Sequence, residues 1–272
     1  MNLSFLKLRV ADCPWILFDR LPASGEDRAS DDLPWASIAV DICSRSRGAA
    51  AVGIAVVERD GDTNIVRTWD AEGFSCVPPP TAALCASRLL FDAGRAGSES
   101  IAFRSSGGDT EVLVIDSRIL GISVGNPARE DGAALAGAFG PGGLGVSVQP
   151  GSGVALPVRL GGVFVEVALF DRPPVRRPAR AGASGAVAST VKRVEALAVS
   201  RQELRVRRGA CDPVVAAAAA AAAAVVADYA DRESACLLAG DRLVAQWPED
   251  GPVFIAAAPE YCLSGEFWIT EK

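Results

Sequence analysis

Nine consecutive alanines, Ala216 to Ala224, lie between Val214-Val215 and Val225-Val226. The run predicts a helix over Pro213 to Tyr229 with no polar face, and such a helix must be enclosed on all sides. Its start, Cys211-Asp212-Pro213, carries a thiol, an acid and a proline, so chemistry is confined to that end. A second segment, Pro78-Pro79-Pro80-Thr81-Ala82-Ala83-Leu84-Cys85-Ala86, looks like its counterpart in the first half. Two buried helices that each open at a special turn predict a two-lobed protein with a site between the lobes.

The chain has 272 residues, enough for one or two domains, and half of them are hydrophobic, enough for sizeable cores. Its net charge is −6 and it has no dense basic run, which argues against nucleic acid as a partner. Met1-Asn2-Leu3-Ser4-Phe5-Leu6-Lys7 reads as the start of a strand rather than a signal peptide. The alanine run is too short and too weakly lipophilic to span a bilayer. A cytoplasmic location without membrane contact is expected. Seven cysteines, an odd number without framework spacing, fit reduced thiols, most of them core residues.

The chain contains no histidine. This excludes Ser-His-Asp and Cys-His catalysis, histidine metal sites and imidazole proton shuttles. No CxxC pair, GxGxxG run or P-loop occurs, so neither zinc nor a nucleotide cofactor has support in the sequence. No cofactor and no metal are expected.

Short apolar runs recur between Gly, Pro, Asp and Ser clusters and predict strands joined by turns. In the first half they are Trp15–Phe18, Ile54–Val57, Asn64–Trp69, Ser100–Arg104, Glu111–Ile115 and Ile119–Val124, with helices over Trp35–Ser44 and Thr81–Ala93. In the second half they are Leu144–Val148, Ala155–Leu160, Val163–Phe170, Val191–Val199, Leu204–Val206, Ala235–Leu238, Leu243–Trp247, Val253–Ala257 and Tyr261–Trp268. Strands, a helix opening with proline, then strands again occur twice, and proline suits a first helical turn. The expected class is α+β with two pseudo-duplicated lobes. Their boundaries are set at 1–127, joined by a last strand over about 264–272, and 128–263. Asp171 to Ser184 reads as a loop whose arginines, Arg172, Arg176, Arg177 and Arg180, are solvated.

Several stretches fall in the order of a known family. Lys7-Leu8-Arg9 through Trp15-Ile16-Leu17-Phe18-Asp19 is similar to K-M-H-G-x-G-N-D-F-x-x-x-D. Ile42-Cys43-Ser44-Arg45 through Val52-Gly53 is similar to C-D-R-x-x-G-x-G-A-D-G, and Arg67 to Gly73 to R-x-x-N-x-D-G-S. Leu90 to Gly94, Leu243 to Trp247 and the closing Ala258 to Glu266 also fall in register. Over nearly its whole length the chain resembles diaminopimelate epimerase and its relatives, the proline racemases and the phenazine-biosynthesis isomerase. The resemblance implies two lobes, each an antiparallel β-barrel around a central buried helix. It also implies two cysteines, one per lobe, that face each other across the substrate α-carbon. One thiolate removes a proton and the other thiol returns one to the opposite face. Each sits at a helix start, where backbone N–H groups lower its pKa and hold the substrate carboxylate.

This chain departs from that pattern. The first catalytic motif, C-G-N-G, is matched by Pro79, Pro80, Thr81 and Ala82, so no thiol stands there. Cys76 precedes it, and Cys85 matches a family cysteine that packs inside. In the second motif, C-G-T-G, Cys211 is kept while Asp212, Pro213 and Val214 replace the carboxylate cradle. Proline removes a donor and Asp212 adds negative charge. Cys13 stands at the substrate-binding asparagine, and Gly161-Gly162 is matched to the G-N-P-H turn. Each survivor also has a structural reading: Cys211 as packing, Asp212 as an N-cap, Arg208 as a partner of Asp212 or Glu203.

The expectation is a repurposed epimerase-fold isomerase or cyclase, without cofactor, acting on an apolar substrate of specialised metabolism such as a polyketide-like chain. The candidate catalytic residues are Cys211, Asp212 and Thr81. The candidate substrate-binding residues are Trp15, Cys13, Pro79, Arg208, Gly161 and Val214. The expected partners are a small apolar molecule and, as an open alternative, a second copy in a homodimer. A catalytically inactive binding or scaffold protein is the alternative. Amino-acid epimerisation through Cys211 is the third reading.

Overall fold

The computed structural model describes residues 2–21, 33–95, 97, 99–128, 154–172 and 192–269. Sixteen strands and three helices follow one another along them. In order they are β1 (Asn2–Val10), β2 (Cys13–Asp19), α1 (Trp35–Cys43), β3 (Gly53–Asp60), β4 (Thr63–Asp70), β5 (Ser75–Cys76), α2 (Pro80–Asp92), β6 (Ser100–Ser105), β7 (Gly108–Val114) and β8 (Leu120–Gly125). There follow β9 (Val154–Leu160), β10 (Val163–Phe170), β11 (Lys192–Ser200), β12 (Glu203–Arg208), α3 (Pro213–Val226), β13 (Glu233–Leu238), β14 (Asp241–Gln246), β15 (Val253–Ala257) and β16 (Glu260–Trp268). The expected strand at Leu144–Val148, and the expected loop from 173 onward, lie outside the described residues.

The chain divides into two compact units. Unit 1 comprises Met1–Ile122 with Ala256–Lys272, and unit 2 comprises Ser123–Ile255. The strand order in unit 1 is β16-β1-β2-β3-β4-β6-β7-β8, with β5 on β4. In unit 2 it is β15-β14-β13-β12-β11-β10-β9.

Most ladders are antiparallel hairpins, among them β1/β2, β3/β4, β6/β7, β9/β10, β11/β12 and β13/β14. Among the described strands, β2/β3, β4/β6, β10/β11 and β12/β13 pair in parallel. Parallel neighbours need a long crossover, usually helical. α1, α2 and α3 lie in three of these crossovers, and most of the fourth, between β10 and β11, is outside the described residues. Both units therefore repeat one plan of hairpin, crossover, hairpin, crossover, hairpin.

In unit 1 the two helices pack on opposite faces of the sheet. α1 buries Trp35, Ile38, Ala39, Ile42 and Cys43, a spacing that forms one helical stripe. The stripe sits on Leu3, Ile16, Phe18, Ile54 and Val56. Rings interlock there, with Phe18 and Trp35 centroids 5.2 Å apart and Trp35 and Trp69 6.1 Å apart. α2 lies on the other face, enclosed by β1, β2, β3, β4, β6 and β7, with Thr81 through Ser87 buried without a break.

In unit 2 the sheet encloses α3 the same way, through β9 to β14. Every residue from Pro213 to Ala224 is buried. Alanine methyls let six strands approach the helix closely, and Cys236 Sγ reaches Ala217 O at 3.6 Å. The helix ends at Val226, three residues earlier than the apolar run predicts. Asp228 turns left-handed at φ +61° and Tyr229 N bonds back to Ala224 O at 2.8 Å, closing the last turn. Arg201 fixes this end through the Asp228 and Asp231 carboxylates at 3.0 and 2.8 Å.

Candidate functional site

The start of α2 is shaped by Pro78-Pro79-Pro80. Proline fixes φ and pushes its predecessor to extended backbone, so the helix begins abruptly. Pro79 is the N-cap, with no side-chain cap bond. Behind it, Trp15 Nε1 donates to Thr81 Oγ1 at 3.1 Å, and Cys13 Sγ lies 3.6 Å from the same oxygen. Thr81 is completely buried, and Cys13 and Trp15 are nearly so. Gly53 makes this arrangement possible, since a methyl there would sit 2.6 Å from the Trp15 ring and 2.4 Å from Trp69 O. The structure thus joins three of the sequence candidates, Cys13, Trp15 and Thr81, in one bonded cluster beside Pro79.

Two further cysteines belong to this part of unit 1. Cys85 is fully buried inside α2. Cys76 Sγ donates to Thr68 Oγ1 at 3.5 Å, and burial raises its pKa above the ordinary thiol value.

The start of α3 carries the other candidates. Cys211 is 2% exposed. Burial, then the negative charge of Asp212, push its thiol up to about 11, against weaker lowering by Lys192 and Arg208. Arg208 Nη1 donates to the carbonyl of Cys211 at 2.6 Å and holds the turn. Asp212 Oδ1 accepts from Val214 N at 2.9 Å and Val215 N at 3.3 Å. Ala216 N bonds to Asp212 O at 2.8 Å. Pro213 has no N–H to give. The first helical donors are therefore all used by Asp212, and an incoming carboxylate finds none of them. Val214 is fully buried in the core below.

Gly161 is at the exposed tip of the β9–β10 hairpin. Gly161 and Gly162 both have positive φ, at +52° and +86°, as a two-residue hairpin turn demands. The tip lies against Val124 and Gly125, where a methyl on Gly125 would meet Gly161 N at 3.2 Å. The neighbouring stretch is also similar to that turn. Gly125-Asn126-Pro127-Ala128 spells three letters of G-N-P-H, whereas Gly161-Gly162 spells one. Asn126 is exposed at the end of β8, a candidate that the matching to Gly161 passed over although the letters stood in the sequence.

No protein-family model matches the sequence, and no curated protein matches it either. Solved structures do match over the full length. One is a phenazine biosynthesis protein of the PhzF family from Enterococcus faecalis, with TM-score 0.62 and 13% identity, covering 99% of this chain and 100% of that one. Another is a hydroxyproline epimerase from Agrobacterium vitis, with TM-score 0.58 and 10% identity over 97% and 92% of the two chains. The chain has the diaminopimelate epimerase-like fold. A methylitaconate-delta-isomerase also shares it, with TM-score 0.54 and 11% identity over 98% and 95%. Among the described residues, no helix is long and apolar enough to cross a membrane.

Proposed function

We propose that this chain is an epimerase-fold isomerase or cyclase that has given up two-thiol proton transfer. The carrying observation is the start of α3, where Asp212 and Pro213 occupy or remove the donors that would receive a substrate carboxylate. A thiol with pKa near 11 carries the thiolate in roughly one molecule in 10⁴ at pH 7. Cys211 is thus an acid or hydrogen-bond donor, not a base. Isomerisation and cyclisation are redox-neutral and need no co-reactant, which suits a chain without histidine. We assign the chemistry to Cys211 and Asp212, with Arg208 positioning the turn and Val214 behind it. In unit 1, Thr81 Oγ1 joins Trp15 and Cys13 at the helix start that Pro79 caps, and we read this cluster as an apolar wall rather than an amino-acid pocket. Gly161 shapes the backbone beside Asn126. The substrate class is apolar, and the solved relatives named for phenazine biosynthesis and for methylitaconate isomerisation lend the reading its reaction type.

The test is an untargeted metabolite comparison of a producing strain with the intact gene, without it, and with Cys211→Ser or Asp212→Asn. The proposal expects an accumulated precursor and a missing isomer of the same mass in the deletion strain. It expects at least a tenfold loss of product in one of the variants. A second reading, a binding protein without catalysis, draws on the complete burial of Thr81 and near-complete burial of Cys211. It predicts unchanged metabolites in both variants.

A further inference from the structure

We infer that a groove on the sheet of unit 1 binds a linear aliphatic diamine. This does not depend on the proposed activity. The groove has a volume of about 430 Å³, and its lining includes Ser4, Leu6, Leu17, Asp19, Ser264 and Glu266. Side chains alternate between the two faces of a strand. On β1, Leu3 and Phe5 pack in the α1 core, so Ser4 and Leu6 belong to the opposite face. Ser4 pairs with Glu266, and Leu6 pairs with both Ser264 and Leu17. Two rows therefore cross β16, β1 and β2 on that face. One is Ser264, Leu6 and Leu17. The next is Glu266, Ser4 and Asp19, since Asp19 follows Leu17 by two residues. The groove thus has an apolar row beside a row that carries a carboxylate at each end.

Two strand spacings separate those ends, about 10 Å between Cα atoms. The lining contains no lysine or arginine, and neither carboxylate has a cationic partner among the described residues. Both are nonetheless oriented. Glu266 Oε2 accepts from Asn2 Nδ2 at 2.7 Å, and Asp19 Oδ1 accepts from Leu21 N at 2.9 Å. Trp268, 71% exposed, follows Glu266 by two residues on the same face and pairs with Asn2. An exposed indole attracts a cation to its ring face. These features select the ligand. An anion would be repelled by both carboxylates. A metal ion needs its oxygens converged on one point, and no such group occurs among the described residues. A single amine would leave one carboxylate unpaired. A hydrocarbon chain with an ammonium at each end pairs both, lays its methylenes beside Leu6 and Leu17, and donates its remaining N–H groups to the Ser4 and Ser264 hydroxyls.

Isothermal titration of the full chain with cadaverine, at fixed ionic strength, tests this. One site per chain is expected. n-Pentylamine keeps the methylenes but has one ammonium, and it should bind at least tenfold more weakly. Asp19→Asn and Glu266→Gln should each weaken cadaverine at least tenfold, whereas Glu233→Gln, at an exposed carboxylate of unit 2, should leave it unchanged. The comparison of the two amines uses the wild-type chain, so it stands even where a variant misfolds. No binding at millimolar cadaverine overturns the inference. So does equal affinity for the two amines. Binding that survives both carboxylate variants overturns it as well, because it marks general attraction to a chain of net charge −6.

Discussion

Cys211 shows how burial and one acidic neighbour change the state of a thiol at a helix start. A cysteine at a helix start is ordinarily activated, because the N–H groups and dipole favour the thiolate. Here the adjacent carboxylate takes those N–H groups, and burial does the rest. The sign of the pH effect follows. The folded pKa, about 11, lies above the unfolded value near 9. Its stabilisation is complete below pH 9 and is lost as pH rises through 11, by about 2–3 kcal/mol at most. Iodoacetamide labelling of Cys211, followed by peptide mass spectrometry, should rise about tenfold per pH unit up to near 11. A plateau at pH 8–9 would contradict the assignment. Asp212→Ala should lower the labelling midpoint, since it removes the second-largest cause. It should also cost about 1 kcal/mol in urea melts through loss of the cap.

At the scale of elements, α3 sets the tolerance of unit 2. A helix of alanines buried on every side owes its stability to close approach rather than to large side chains. Ala220, fully buried mid-helix, should not admit Leu. Ala220→Leu is expected to cost about 1–3 kcal/mol or more by overpacking, read as a lower urea midpoint, while the exposed Ala102→Leu should be near neutral. In unit 1, Gly53→Ala should move Trp15 and shift tryptophan fluorescence, because backbone and ring both block the added methyl. Much of this was legible in the sequence. Alternating apolar runs marked the strands, and the α1 stripe at Trp35, Ile38, Ala39 and Ile42 marked its buried face. The end of α3 was not legible, because Tyr229 continues the apolar pattern while Asp228 breaks the backbone. β5, two residues long, carries too little pattern to register. The parallel pairs follow from which crossovers return to which hairpin, a long-range fact that no local run encodes. The bonded cluster of Cys13, Trp15 and Thr81 was legible only as separate names, since 66 residues separate Trp15 from Thr81.

For the whole molecule, the proposal is that an epimerase-like fold has been kept while two-thiol proton transfer has not. The two units repeat one plan, and their architecture is that of solved epimerases and isomerases. Racemisation on that architecture requires a base and an acid. In the proposed matching, Pro79 opens α2 where the first thiol would stand, and Cys211 precedes an α3 start capped by Asp212. The most direct test incubates the purified protein in D₂O with L-proline, trans-4-hydroxy-L-proline and LL-diaminopimelate, and follows deuterium at the α-carbon by mass spectrometry. We predict no incorporation above the protein-free control with any of the three. Incorporation that disappears in Cys211→Ser would contradict the account and restore amino-acid epimerisation.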